Sequence, residues 1–170
     1  MHFQENYSLK NLNSFGINVS AKYFSVFKNT NALAEILAEA NENKLILGGG
    51  SNILFTKDFV GLVLKNEIEG IEIINEDEQH VYVKAGAGVG WHPFVLYCIE
   101  NNLAGAENLS LIPGSVGASP MQNIGAYGVE TKDIFYELEA FHINEKKLDK
   151  NRSSPHVINY FYTSTLGYVC

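Results

Sequence analysis

Two stretches of this sequence combine residue types that suit ligand binding. The first is Gly48-Gly49-Gly50-Ser51-Asn52, set directly after the apolar run Lys44-Leu45-Ile46-Leu47. Without Cβ atoms, successive amides can turn to one side and a ligand can approach the main chain. Such a nest of N–H groups stabilises a pyrophosphate without help from Lys or Arg. Ser51 and Asn52 add side-chain hydrogen-bonding groups. An ordinary tight turn between two strands accounts for the same residues equally well. Nucleoside triphosphate hydrolysis is disfavoured, because no Lys-Ser or Lys-Thr pair follows to reach terminal phosphates and Mg²⁺. A further glycine cluster, Gly86-Ala87-Gly88-Val89-Gly90, follows a strand-like run, but Trp91 stands where the third glycine of a dinucleotide fingerprint belongs. A turn opening a helix is the better account of it.

The second stretch is the more informative. No charged side chain occurs from Asn108 to Val129. Within it, Pro113, Gly114, Ser115, Gly117, Ala118, Ser119, Gln122, Asn123, Ile124, Gly125, Ala126, Tyr127 and Gly128 form a run of small and neutral polar residues. Small residues at this density require the backbone to lie against something, while Ser115, Ser119, Gln122 and Asn123 offer uncharged hydrogen-bonding groups. A flat, partly apolar ring system with polar edges fits such a surface. Isoalloxazine meets the description: one face packs on backbone and small side chains, and amides at the ring edge stabilise the charge that builds up near N1 on reduction. A tightly packed connector between two lobes is the competing explanation.

Isolated residues carry less. His92 at a helix start and His142 in a strand have no partner spacing for metal ligation, so surface or satisfied core positions are expected. Glu107 and Glu130 bracket the uncharged run as solvated groups, and Cys98 reads as core. No metal site is expected.

The elements that must position these segments follow from periodicity. Ala21 to Phe27 reads as a strand rich in aromatic and β-branched residues. A helix follows, with Leu33, Ile36, Leu37 and Ala40 on one face and Thr30 or Asn31 as its cap. Lys44 to Leu47, Ile53 to Phe55 and Gly61 to Lys65 complete a first β-α-β-β lobe. Ile71 to Ile74 and His80 to Ala85 form a hairpin through the acidic turn Glu76-Asp77-Glu78, a helix carries Trp91, Phe94, Val95 and Cys98 inward, and Phe135 to Ile143 is a further strand. This mixture predicts an α+β fold of two lobes, residues 1–66 and 67–147, in place of a doubly wound parallel sheet. Residues 148–170 form a divergent tail without clear helical periodicity.

Bulk properties narrow the field. The 170 residues are 46% hydrophobic and 18% charged, enough apolar material for a substantial core. A net charge of −7 with scattered Lys and Arg argues against a nucleic-acid partner. Two cysteines, Cys98 and Cys170, make no disulfide framework, and a cytoplasmic location fits. Met1 to Lys10 lacks a secretory pattern, and no stretch reads as a membrane span.

Taken together, Asn13-Ser14-Phe15-Gly16-Ile17, Leu47 to Phe55, Gly86-Ala87-Gly88 with Trp91-His92, and Ile112 to Gly128 resemble, in the same order, the UDP-N-acetylenolpyruvoylglucosamine reductase family. The resemblance spans roughly Tyr7 to Ile143, the front part of that family's length. It implies a two-lobed FAD-binding domain of the vanillyl-alcohol oxidase type, with Gly48 to Asn52 at the pyrophosphate and Pro113 to Gly128 along the flavin. It also implies NADPH as reductant and a UDP-sugar enolpyruvyl ether as substrate, in peptidoglycan synthesis. A catalytic arginine in a Phe-Gly-Tyr-Arg stretch is expected after the strand at Phe135 to Ile143. Arg152, the sole arginine, lies in a different setting, and the look-alike Leu166-Gly167-Tyr168-Val169 lacks the arginine. The family's serine proton donor and catalytic glutamate are not found. The expectation is therefore a truncated flavin-binding part without turnover, its tail after about Lys147 out-of-frame or divergent. Two alternatives stand beside it: a stand-alone, non-catalytic flavin or nucleotide-binding module, and a relative of the flavin oxidases with covalently attached flavin.

Overall fold

The computed structural model describes residues 3–143, 147–151 and 162–169. Four strands build the first sheet: β1 (Gln4–Ser8), β2 (Ser20–Phe27), β3 (Lys44–Leu47) and β4 (Phe59–Asn66), in the order β1-β2-β4-β3. β1 runs antiparallel to β2, whereas β2, β4 and β3 are mutually parallel. Helix α1 (Thr30–Glu39) covers one face, where Leu33, Ile36 and Leu37 pack on Phe27, Leu62 and Leu64. Its cap is Asn29, one residue before the expected position, whose Oδ1 accepts the Ala32 amide at 2.8 Å. Because β3 and β4 are parallel neighbours, residues 48–58 must return over the opposite face. There Phe55 and Ile53 join Leu9, Phe24, Leu47 and Val63 in a second cluster. Ile53 to Phe55 is thus a correction to the expected strand: Ile53 and Phe55 pack along a return path while Leu54 is exposed, and the segment has no ladder.

The same face is braced by residues 9–19. Asn13 is buried, and its Nδ2 donates to the carbonyls of Leu9 (2.8 Å) and Ile17 (3.1 Å), while its Oδ1 accepts the Ile17 amide at 3.0 Å. One side chain therefore closes the whole Leu9–Ile17 turn.

The second sheet has the order β10-β9-β11-β6-β5, from β5 (Ile71–Glu76), β6 (Val81–Gly86), β9 (Phe135–His142), β10 (Lys147–Asn151) and β11 (Tyr162–Val169). All its pairings are antiparallel. Helix α2 (Trp91–Glu100) turns Trp91, Phe94, Val95 and Cys98 onto Val83, Ala85, Leu138 and Ala140. Residues 148–170, read from sequence as a divergent tail without clear helical periodicity, contribute most of β10 and all of β11, and Tyr162–Val169 sits between β9 and β6. Its Tyr, Thr and Val residues favour strand on propensity alone, which helical periodicity could not register. Arg152 lies outside the described residues.

The two sheets meet through backbone. The Gly88 amide donates to Ile68 O and the Gly86 amide to Gly70 O, both at 2.8 Å. A Cβ on Gly88 would stand 2.7 Å from Ile68 N, 2.8 Å from Glu67 Cα and 2.9 Å from Asn66 O, all main-chain atoms unable to yield alone. Phe141 of β9 also packs into the α1 cluster. Gly88→Ala is therefore expected to lower the free energy of unfolding by about 2 kcal/mol in urea titrations, through overpacking at this junction. Asn13→Ala should cost about 2 kcal/mol in the same measurement, since it leaves the Leu9, Ile17 and Lys10 polar groups without their partner.

Candidate functional site

The path of 48–58 brings the first glycine loop to the second informative stretch. A hypothetical Cβ on Gly49 would lie 3.2 Å from Gly114 Cα, and one on Gly48 would lie 2.7 Å from Ser115 Oγ. Gly50, at φ +69°, adopts a left-handed conformation and would drive a Cβ into the Leu12 carbonyl. Between the loops lies a groove of about 230 Å³ lined by Ile46–Ile53, Gly114, Ser115, Ala118 and Gln122. No charged side chain lines it.

Backbone lacing fixes the second wall. Trp91 N donates to Gly114 O (3.0 Å), Val116 N to Val89 O (2.8 Å) and Gly117 N to Ala87 O (3.0 Å). The cluster Gly86 to Gly90, read from sequence as a turn opening a helix, thus also serves as the ledge on which 114–117 rests. Trp91 is fully buried and donates Nε1 to Leu109 O at 2.8 Å, so it anchors the far end of the uncharged run. His92 is a satisfied histidine: its Nδ1 accepts the Leu111 amide at 3.2 Å, beside a Leu111 held at φ +63°.

The eighteen expected cofactor-binding residues divide. Gly48, Gly49, Gly50, Ser51, Asn52, Gly114, Ser115, Ala118 and Gln122 line the groove. Pro113 is exposed at its edge, Gly117 is used for lacing, and Ser119 is buried with its Oγ donating to Val116 O at 2.8 Å. The remainder form a separate feature. After the short helix α3 (Ser119–Gln122), Asn123 takes φ +41°, and β7 (Gly125–Ala126) pairs with β8 (Val129–Glu130) across a turn of Tyr127 and Gly128. Ile124 O accepts both Thr131 N (2.8 Å) and Thr131 Oγ1 (2.9 Å), and Asn123 Oδ1 accepts the Lys132 amide at 3.2 Å. Asn123, Gly125, Ala126 and Gly128 line a more open hollow with Val129 and Glu130. Tyr127, 89% exposed at φ +52°, projects from the hairpin tip.

The chemical character of the groove lies in its amides. The Gly48 carbonyl accepts Lys65 Nζ at 2.5 Å and the Gly50 carbonyl accepts Ser14 N at 3.0 Å. Among the described residues the amides of Gly49, Gly50, Ser51 and Asn52 donate to no protein acceptor. Four successive amides are thus left without a protein partner in a groove whose lining carries no carboxylate. Burial holds the Lys65 ammonium below the ordinary lysine value, with the Glu67 carboxylate acting against that shift. Neither Lys65 nor Asn13 stood out as a site residue in the sequence. The available signal was a lone cation at the end of the apolar strand Gly61 to Lys65.

Among the described residues no helix is long and apolar enough to cross a membrane. A family model described as an FAD binding domain matches residues 21–144. Curated UDP-N-acetylenolpyruvoylglucosamine reductases are similar in sequence. That of Amoebophilus asiaticus is 52% identical over 153 residues, covering 88% of this chain and 45% of the relative. That of Flavobacterium johnsoniae is 51% identical over 148 residues, covering 86% and 44%. The chain thus spans somewhat less than half the length of these relatives. Among solved structures, UDP-N-acetylenolpyruvylglucosamine reductase from Thermus caldophilus matches with a TM-score of 0.70 at 22% identity, covering 99% of this chain and 60% of that one. Cholesterol oxidase from Brevibacterium sterolicum, as a His-to-Ala mutant, gives 0.65 at 14%, with 98% and 36% covered. p-Cresol methylhydroxylase gives 0.60 at 15%, with 97% and 37% covered. At these identities the solved structures show the shared fold alone. The chain belongs to the FAD-binding domain family, in the α+β form shared with vanillyl-alcohol oxidase and p-cresol methylhydroxylase, and is a homologue of the FAD-binding portion of UDP-N-acetylenolpyruvoylglucosamine reductases.

Proposed function

We propose that this chain is the flavin-holding part of a cytoplasmic, NADPH-dependent reductase of the UDP-N-acetylglucosamine enolpyruvyl ether, and that its two lobes, residues 1–66 and 67–147, hold FAD between them. The observation that carries the reading is the uncharged groove between Gly48–Asn52 and the wall at Gly114 and Ser115, in which the amides of Gly49 to Asn52 have no protein acceptor among the described residues. The residues fit the group: a diphosphate needs amides and no carboxylates, and a Cβ at Gly49 would crowd the opposite wall at Gly114. At about 230 Å³ the groove is smaller than a pocket for a whole dinucleotide. It suits the diphosphate arm, while Pro113 to Gly128, with Ile124 and Tyr127, would border the isoalloxazine beyond it.

When bound, FAD supplies hydride relay between the nicotinamide and the enolpyruvyl carbon. The chain's own residues bind and orient it: Ser115, Gln122 and Asn52 offer neutral hydrogen bonds, and the lacing of 114–117 onto 87–91 keeps the wall rigid. These 170 residues present no arginine in a Phe-Gly-Tyr-Arg setting to bind the substrate or stabilise developing charge. The reading for these residues is accordingly cofactor binding.

Purified chain titrated with FAD should bind it stoichiometrically and release it intact on denaturation, without NADPH oxidation dependent on the enolpyruvyl sugar. A colourless protein that ignores FAD would sink the assignment, flavin surviving denaturation would favour the covalent oxidase alternative, and sugar-dependent NADPH oxidation would restore full enzyme status. Gly49→Val, which adds bulk 3.2 Å from Gly114 Cα, is expected to weaken FAD binding at least about a hundredfold and, through overpacking, to lower the free energy of unfolding in urea titrations by about 2 kcal/mol.

A further inference from the structure

The direction of the loop amides is decided by what holds the loop carbonyls. In a planar trans peptide the C=O of one residue and the N–H of the next point opposite ways, and no cis peptide occurs in the described chain. The Gly48 carbonyl is drawn to Lys65 Nζ, so the Gly49 N–H of the same peptide points away from Lys65. The Gly50 carbonyl is likewise held by the Ser14 amide, so the Ser51 N–H points away from the 9–17 turn. Lys65 pairs in register with Leu47 and Val26, whose side chains pack on the face of the first sheet away from α1. That is the face over which residues 48–58 return. Among the described residues, Lys65 is the one Lys or Arg side chain that bonds to the loop Gly48 to Asn52. The groove lining itself is uncharged.

We propose that Lys65 is a positioning residue for the diphosphate of the bound dinucleotide, an inference that rests on the flavin reading above. Its ammonium holds the Gly48 carbonyl back, aims and polarises the Gly49 N–H toward the phosphate oxygens, and stands behind the loop as the counter-charge that the neutral lining lacks. Hydrogen bonds to a charged donor strengthen the next bond in the chain, so the effect reaches the ligand through one peptide unit. The partly buried ammonium feels less solvent screening than a surface lysine and acts at a distance of one residue.

The test compares FAD with riboflavin, which carries the same ring system and no phosphate, in fluorescence titrations of the full chain. Lys65→Met should weaken FAD binding about thirtyfold and leave riboflavin within about twofold, and Lys65→Arg should recover FAD affinity to within about fivefold of wild type. Unchanged FAD affinity in Lys65→Met overturns the proposal. So does an equal loss of FAD and riboflavin with no rescue by Lys65→Arg, which marks Lys65 as a general structural support. Inorganic pyrophosphate provides a second readout by amide NMR: shifts at Gly49 and Ser51 in wild type that vanish in Lys65→Met support the role, and their absence in wild type counts against it. If wild type ignores FAD, the flavin reading fails, and the pyrophosphate shifts still decide the role of Lys65.

Discussion

The close approach of two main chains, Gly48 to Gly50 on one side and Gly114 to Ser115 on the other, is the constraint on which the rest of the molecule depends. A separation that would set a Cβ on Gly49 3.2 Å from the Gly114 main chain is kept because both chains are held from behind. The first is held by Asn13, Ser14 and Lys65, and by Phe55 and Ile53 packing into the sheet. The second is held by three backbone bonds to residues 87–91, themselves fixed by the buried Trp91. In the first chain this holding engages the carbonyls of Gly48 and Gly50 and leaves the amides of Gly49 to Asn52 without a protein acceptor among the described residues.

Much of this was legible in the sequence, for specific reasons. Apolar Lys44 to Leu47 ending in three glycines announced a strand feeding a loop open to close main-chain approach, and the density of small residues from Asn108 to Val129 announced a backbone that lies against something. Helix α2 and the β5–β6 hairpin follow directly from periodicity and an acidic turn. Other features were beyond reach. Which carbonyls are pinned depends on tertiary contacts, since Ser14 and Lys65 lie 36 and 17 residues from the loop carbonyls they hold, by subtraction from Gly50 and Gly48. Ile53 to Phe55 carries strand-forming residues yet serves packing, a tertiary override of propensity. The split of Pro113 to Gly128 into a groove wall and a separate hairpin arises from the left-handed Asn123, a conformation that Asn tolerates and that composition does not disclose.

The shared fold and the specific site contribute different kinds of knowledge. Cholesterol oxidase and p-cresol methylhydroxylase adopt this architecture at 14% and 15% identity, so the sheets and their order are compatible with several chemistries. Identities of 52% and 51% to reductases that act in a single reaction narrow the family. What ties that narrowing to physical cause is the junction of the sheets, where Gly86 and Gly88 bring main chain against main chain and Phe141 of β9 enters the core beneath α1. Main chain packed against main chain leaves that junction little freedom to tilt.

The position of β11 governs how the molecule is assembled in time. β6 and β9 are not neighbours; Tyr162–Val169 lies between them and pairs with both. The β5–β6 hairpin, formed early and locally, therefore cannot join β9 until a segment 76 residues beyond Gly86, by subtraction from Tyr162, has been captured. Closing so long a loop before its contacts reward it makes completion of this sheet a slow step. During that interval the edges of β6 and β9 stand unpaired, which makes the half-built sheet the stage at which the nascent chain is most exposed to aggregation.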